Sequence, residues 1–167
     1  MTDLPQPPRS LEEIAALESS LTLAHFTAAD AWELGTRLRT RLLKFVSPTV
    51  INITLSNGQL LFHAVTHSGT APDNDTWVSR KRATVQRWGH STWWMHNKFG
   101  GDEGAFAKKF MLGESAGMYA IHGGGFPLRV KGVEGPVGVV VVSGLKQEQD
   151  HQVIVEVLRE YLEGKSG

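Results

Sequence analysis

Between Pro72 and Trp88 the chain carries its densest set of side chains suited to holding a ligand: Asp73, Asn74 and Asp75, then Trp77, Arg80, Lys81, Arg82, Arg87 and Trp88. Arginine and lysine bind carboxylates and phosphates through charge-assisted hydrogen bonds. Helical spacing, at roughly 100° per residue, puts Trp77, Lys81, Thr84, Val85 and Trp88 on one face. Arg80 and Arg87 lie at the edge of that face, and Arg82 points elsewhere. Lys81 therefore sits among aromatics on the inward face, where a lysine is rare unless paired or hydrogen-bonded. Two readings follow. The stem can lie along apolar surface with the ammonium in water or over a ring. Alternatively, Lys81 is a cation aimed into a pocket beside Arg80, ready for an acidic ligand. The acidic turn has a local reason of its own. Pro72 keeps Ala71 out of the helical region, and Asp73 or Asn74 can cap the helix that follows.

Two other stretches invite chemistry. Gly113-Glu114-Ser115-Ala116-Gly117 has the spacing of a nucleophile elbow, and His122-Gly123-Gly124-Gly125 resembles an oxyanion loop. An elbow needs a buried strand before its serine, and Ala107-Lys108-Lys109-Phe110-Met111-Leu112 is a poor one. The oxyanion loop also comes in the wrong order, and adjacent Asp150 and His151 are badly placed to act as orienter and base. Serine hydrolysis is set aside on these grounds. Seven histidines show no strong metal spacing, so no metal site is expected. A haem would need one imidazole facing an apolar slot, and Lys81 and Arg80 could then meet its propionates.

Composition narrows the class. At 167 residues and 41% apolar, the chain is long enough for one domain with a real core. Seventeen basic and seventeen acidic side chains cancel, which argues against nucleic acid or an anionic membrane as partner. There is no cysteine, hence no disulfide and no thiolate chemistry. No apolar run approaches the ~20 residues of a membrane span, and the N-terminus lacks a signal-peptide pattern. A cytoplasmic location is the expectation.

The elements that must position these residues read as follows. Residues 1–9 form a flexible Pro-rich tail, and 10–167 a single domain. Ser10 and Glu13 make a capping box for a short helix to about Ser20. Leu21 to Phe26 suggests a short strand, and Thr27 caps a longer helix to about Phe45. Val50 to Thr66 is a hairpin turning at Asn57-Gly58, with Ile51 facing Ala64, Ile53 facing Phe62 and Leu55 facing Leu60. One hairpin face is then wholly apolar and the other carries Asn52 and His63. Tyr119-Ala120-Ile121 reads as a strand. Leu128 to Lys131 is a candidate strand, Val137 to Val142 a central one. A closing helix holds Asp150 and His151 in its first turns. The expected architecture is α+β: about five mainly antiparallel strands with helices on the faces of the sheet.

Three motifs in this order resemble a known family. Asp73-Asn74-Asp75-x-Trp77-x-x-Arg80-Lys81, then His122-Gly123-Gly124-x-Phe126-Pro127, then Val142-Ser143-Gly144-Leu145 with Asp150-His151, look like the haem-degrading-domain (GlcG/HbpS-like) family. Within it they resemble a branch of intracellular proteins of bacteria and fungi. The likeness runs from about Ser10 to Leu162. It implies a GlcG-like, profilin-like fold and homo-oligomers. It also implies a ligand site drawn from Asp73, Asn74, Asp75, Trp77, Arg80, Lys81, His122, Phe126, Ser143 and His151. The leading functional expectation is an oligomeric binding protein for a small, partly apolar anion, with haem as a candidate. One alternative is an enzyme using Lys81 and Arg80 with Asp75 or His151 in acid–base chemistry. A second is an interaction scaffold using Trp93, Trp94 and Met95.

Overall fold

The computed structural model describes residues 2–165. Helices α1 (Leu11–Ser20) and α2 (Ala28–Leu42) precede the hairpin β1 (Val50–Leu55) and β2 (Leu60–Val65). Helices α3 (Pro72–Trp88), α4 (Thr92–Lys98) and α5 (Glu103–Lys109) follow. A 3-10 turn over Gly113–Met118 leads into β3 (Gly125–Leu128), β4 (Gly138–Ser143) and α6 (Gln147–Lys165). The sheet has the order β2-β1-β4-β3, antiparallel throughout.

Alternation along the strands sorts the side chains into two layers. Ile51, Ile53, Val140 and Val142 pack with Leu34, Leu38 and Leu42 of α2 and with Val153, Val157 and Leu158 of α6. Val50, Val139 and Val141 pack with Val78 and Val85 of α3 on the opposite face. The valine run of β4 is thus covered on both sides, which is why it shows no polar alternation. Burying this apolar surface is the main favourable term in folding. Among the described residues, no helix is long and apolar enough to cross a membrane.

Among the described residues the sheet has four strands, not five. Leu21 to Phe26 lies between two helices whose ends consume its polar groups. Leu21 N–H closes α1 on Glu18 O, Thr22 Oγ1 donates to Ser19 O, and Thr27 joins Asp30 in a capping box. Only Leu23 is left to pair, in one parallel bridge to Val130. The strand expected at Tyr119-Ala120-Ile121 is also absent. Its backbone groups go to side chains: Tyr119 O to Arg80 Nε, Ala120 N–H and O to the Thr84 hydroxyl, Ile121 O to His96 Nδ1. The strand forms instead four residues later, inside the glycine run.

The hairpin keeps the expected pairs Ile51–Ala64, Asn52–His63 and Ile53–Phe62. A register shift beyond Ile53 then sets Thr54, not Leu55, opposite Leu60. Such a bulge moves the following side chains to the other face. Leu60 is accordingly exposed, while Leu61 packs against the core. Within the stretch 1–9 expected as a flexible tail, several of residues 2–9 touch the domain. Pro7 is buried, Leu4 packs on the core, and Pro8 O accepts from Trp93 Nε1 at 2.8 Å.

Gly35 of α2 lies under the Phe62 ring, where a Cβ would come within 2.5 Å of it. Gly35→Ala is therefore expected to destabilise by about 1–3 kcal/mol through overpacking. Urea unfolding should show a lower midpoint at an unchanged slope.

Candidate functional site

Helix α3 is set by its own sequence. Pro72 occupies the first helical position, where its missing N–H is no loss. Ala71, not Asp73 or Asn74, is the N-cap, and Asn74 Oδ1 accepts the Ala71 N–H at 2.8 Å. Asp73 and Asp75 fall in the first turn, at the positive end of the dipole. Gly89, at φ 72°, ends the helix by returning its N–H to Val85 O.

Lys81 points inward from this helix to the carboxyl end of β4 and the start of α6. It is 3% exposed, its Nζ 3.1 Å from Val142 O and 3.2 Å from Asp150 Oδ2. Asp150 is equally buried and also accepts the N–H groups of Leu145 (2.9 Å) and Gly144 (3.4 Å). Burial pushes the Asp150 carboxyl up to about 6, against the pull of Lys81 and the two N–H groups. The glycine run explains itself here. A Cβ on Gly124 would stand 2.3 Å from Val142 O and 2.7 Å from Lys81 Nζ, and one on Gly123 would stand 2.5 Å from Gln147 O. Only bare backbone lets this loop close over the ion pair.

Above the pair opens a cleft of about 330 Å³, lined by Asp73, Asn74, Trp77 and Lys81, by His122, and by Ser143, Gly144, Leu145, Gln147 and Asp150. Trp77 meets the His122 ring edge-on at 5.1 Å. His122 Nδ1 lies 3.2 Å from Glu103 Oε1. Burial lowers the His122 pKa in spite of Glu103, and the nearby Lys81 adds to the effect, so the ring is neutral at physiological pH. Ser143 is 7% exposed as a residue and lines the cleft, and its hydroxyl has no hydrogen-bond partner among the described residues.

Six of the residues expected at the site, Asp73, Asn74, Trp77, Lys81, His122 and Ser143, line this cleft. Four do not. Arg80 turns away, its Nε donating to Tyr119 O at 3.1 Å and its guanidinium 4.4 Å over Trp77. Asp75 lies 3.7 Å from His63 on the far side of α3. Phe126 is buried in the core. His151 is buried between Trp93 and Phe126 (5.9 Å each), and burial alone drives its pKa down to about 3. The residue after Asp150 on a helix faces about 100° away, which is why adjacency did not bring both into the cleft. Neither Asp75 nor His151 can partner Lys81, as the acid–base alternative required. Of the three residues expected as an interaction patch, Trp93 and Met95 are buried, and Trp94 is half-buried with its ring stacked on His90 at 3.7 Å. Ser115 sits on the 3-10 turn with its hydroxyl donated to Leu112 O at 2.6 Å.

Gly144, Leu145, Gln147 and Asp150 were not among the expected ligand residues. A lysine on an apolar helix face demands a buried carboxylate. That demand is the signal that could have been followed, although it names no particular carboxylate; the partner is Asp150, 69 residues away.

A polar cleft floored by a buried ion pair thus lies at the end of the four-stranded sheet, between two helices of an α+β domain. Residues 26–159 match the family described as haem-degrading protein HbpS-like, and the chain belongs to that family. A UPF0303 protein of Streptomyces avermitilis is 41% identical over 162 residues, covering 97% of this chain and 96% of that one. The crystal structure of Ybr137w, from Saccharomyces cerevisiae, superposes with a TM-score of 0.88 at 36% identity, over 95% of this chain and 90% of that one. The crystal structure of a PduOC–haem complex aligns with a TM-score of 0.63 at 15% identity, over 80% and 93% of the two chains. This last likeness concerns the fold.

Proposed function

We propose that the chain is a binding protein for a small, partly apolar molecule with an acidic group, held in the cleft over Lys81 and Asp150. The observation that carries this reading is the Ser143 hydroxyl, without a partner among the described residues and lining the same cleft as Lys81. Lysine has three N–H donors, and two are used by Val142 O and Asp150. The remaining N–H and the serine hydroxyl together suit one carboxylate, while Trp77 and Leu145 supply apolar wall. Isothermal titration with 3-phenylpropionate tests it. Saturable binding is expected, lost in Ser143→Val; no heat at any ratio would contradict it.

Haem is the second reading. A neutral His122 at the cleft mouth favours it, as does the haem complex of a protein of the same fold. The cleft of one chain does not fit a whole macrocycle. Its volume of about 330 Å³ is near the lower bound for small-ligand sites. Of the two cations expected to meet the haem propionates, Arg80 lies outside the cleft, so only Lys81 is left for one of them. Haemin spectra that match free haemin at every ratio are therefore expected. A saturable Soret shift abolished in His122→Ala would restore haem as the ligand.

We also propose that the chain self-associates. The outer edge of β2 pairs with no described residue, and the strand carries exposed Leu60 and Val65, with exposed Trp32 nearby on α2. Native mass spectrometry should show a dimer or larger assembly, and a monomer in Leu60→Lys.

A further inference from the structure

We infer that the ligand of this cleft is amphoteric, a small α-amino acid or close relative whose carboxylate meets Ser143 and Lys81 and whose ammonium meets Asp73. This rests on the small-acid reading above and sharpens it.

The charges lining the cleft are Lys81, Asp150 and Asp73, with His122 neutral. Lys81 and Asp150 cancel within their 3.2 Å contact. Asp73 is left over. It makes no hydrogen bond or ion pair with any described residue, whereas the neighbouring Asp75 faces His63 at 3.7 Å. A simple monoanion would bring a second negative charge into a cleft whose net charge is already negative. A zwitterion meets both ends: it gives a carboxylate to the donors and a cation to Asp73.

The donor end is built from more than one element. Ser143 ends β4, Lys81 rises from α3, and the 19-residue helix α6 begins at Gln147 on the cleft wall. The backbone N–H groups of Gln147 and Glu148 have no partner among the described residues, as expected in the first turn of a helix. They add positive potential at the same end. Trp77 stands on the same helix as Asp73, one turn on, and offers an aromatic surface to the ammonium or to a side chain.

Titration calorimetry at pH 7 on the full chain compares L-phenylalanine, 3-phenylpropionate and 2-phenylethylamine, which share one skeleton. The series alanine, propionate and ethylamine repeats it without the ring. The amino acid is expected to bind about five- to tenfold more tightly than the acid, as one charge-assisted contact at a partly exposed site allows. The amine should bind least. Asp73→Asn, a substitution on an exposed position, should erase the preference for the amino acid by weakening its binding while affinity for the acid rises, since the uncompensated negative charge is gone. Equal affinity for acid and amino acid, or a preference that survives Asp73→Asn, overturns the inference while the small-acid reading stands. Absence of binding by every acid and amino acid in both series overturns both.

Discussion

Lys81→Met is expected to destabilise the fold by about 3–5 kcal/mol at pH 7, the usual cost of removing one partner from a buried ion pair. The variant leaves Asp150 enclosed at 2% exposure, with only the N–H groups of Gly144 and Leu145 to hold its charge. The pH dependence follows from burial, which already raises the carboxyl to about 6 in the presence of the lysine. Without it the pKa rises further. A carboxyl whose folded pKa exceeds its unfolded value contributes most stability below the unfolded pKa and loses it as pH rises through the folded one. The deficit of Lys81→Met should therefore be largest at pH 8 and shrink towards pH 5. Adding Asp150→Asn removes the charge and keeps an acceptor for the Leu145 N–H, so the double variant should regain most of the loss. Denaturant unfolding at three pH values checks this. A loss under about 1 kcal/mol, as for exposed pairs, would mean that the pair is solvated.

Gly124→Ala should cost about 3 kcal/mol or more, combining a disfavoured backbone conformation with overpacking against main chain. Gly124 has φ +125°, and its missing Cβ faces Val142 O at 2.3 Å. The obstacle is a sheet carbonyl, which cannot rotate aside as a flexible side chain could. Its displacement would also disturb Val142 O as an acceptor for Lys81. Gly117 has open space and an ordinary φ, so Gly117→Ala should stay within about 0.5 kcal/mol. Thermal melting of the two variants side by side measures the contrast. Equal melting temperatures would show that the loop over the ion pair has room to move.

Features set by local patterns were legible in the chain. The capping residues Ser10 and Thr27, the Ile51–Ala64 and Ile53–Phe62 pairs, the buried valine run and the inward face of α3 all follow from short-range spacing. What was lost depended on competition between neighbours. Backbone groups of Tyr119 to Ile121 were taken by Arg80, Thr84 and His96, so no strand formed there. One bulge exchanged Leu60 and Leu61 across the sheet. At the cleft, helical spacing put Lys81 on the inward face but left open whether its ammonium reached water or a pocket, and did not name Asp150 as its partner. Asp150 meets it only because β4 delivers α6 to the foot of α3. Arg80 shared the lysine's neighbourhood in sequence, yet a carbonyl and the Trp77 ring captured it first.

The central claim is that one cleft, bounded by Trp77, Ser143 and Gln147, takes a small acid. Amide and indole chemical shifts followed by NMR during titration with 3-phenylpropionate test it most directly. The amides of Ser143, Gly144, Leu145 and Gln147 and the Trp77 indole are expected to move together and saturate with one dissociation constant. Unmoved signals there, with shifts instead around Trp32 and Thr36 on the outer face of α2, would contradict it.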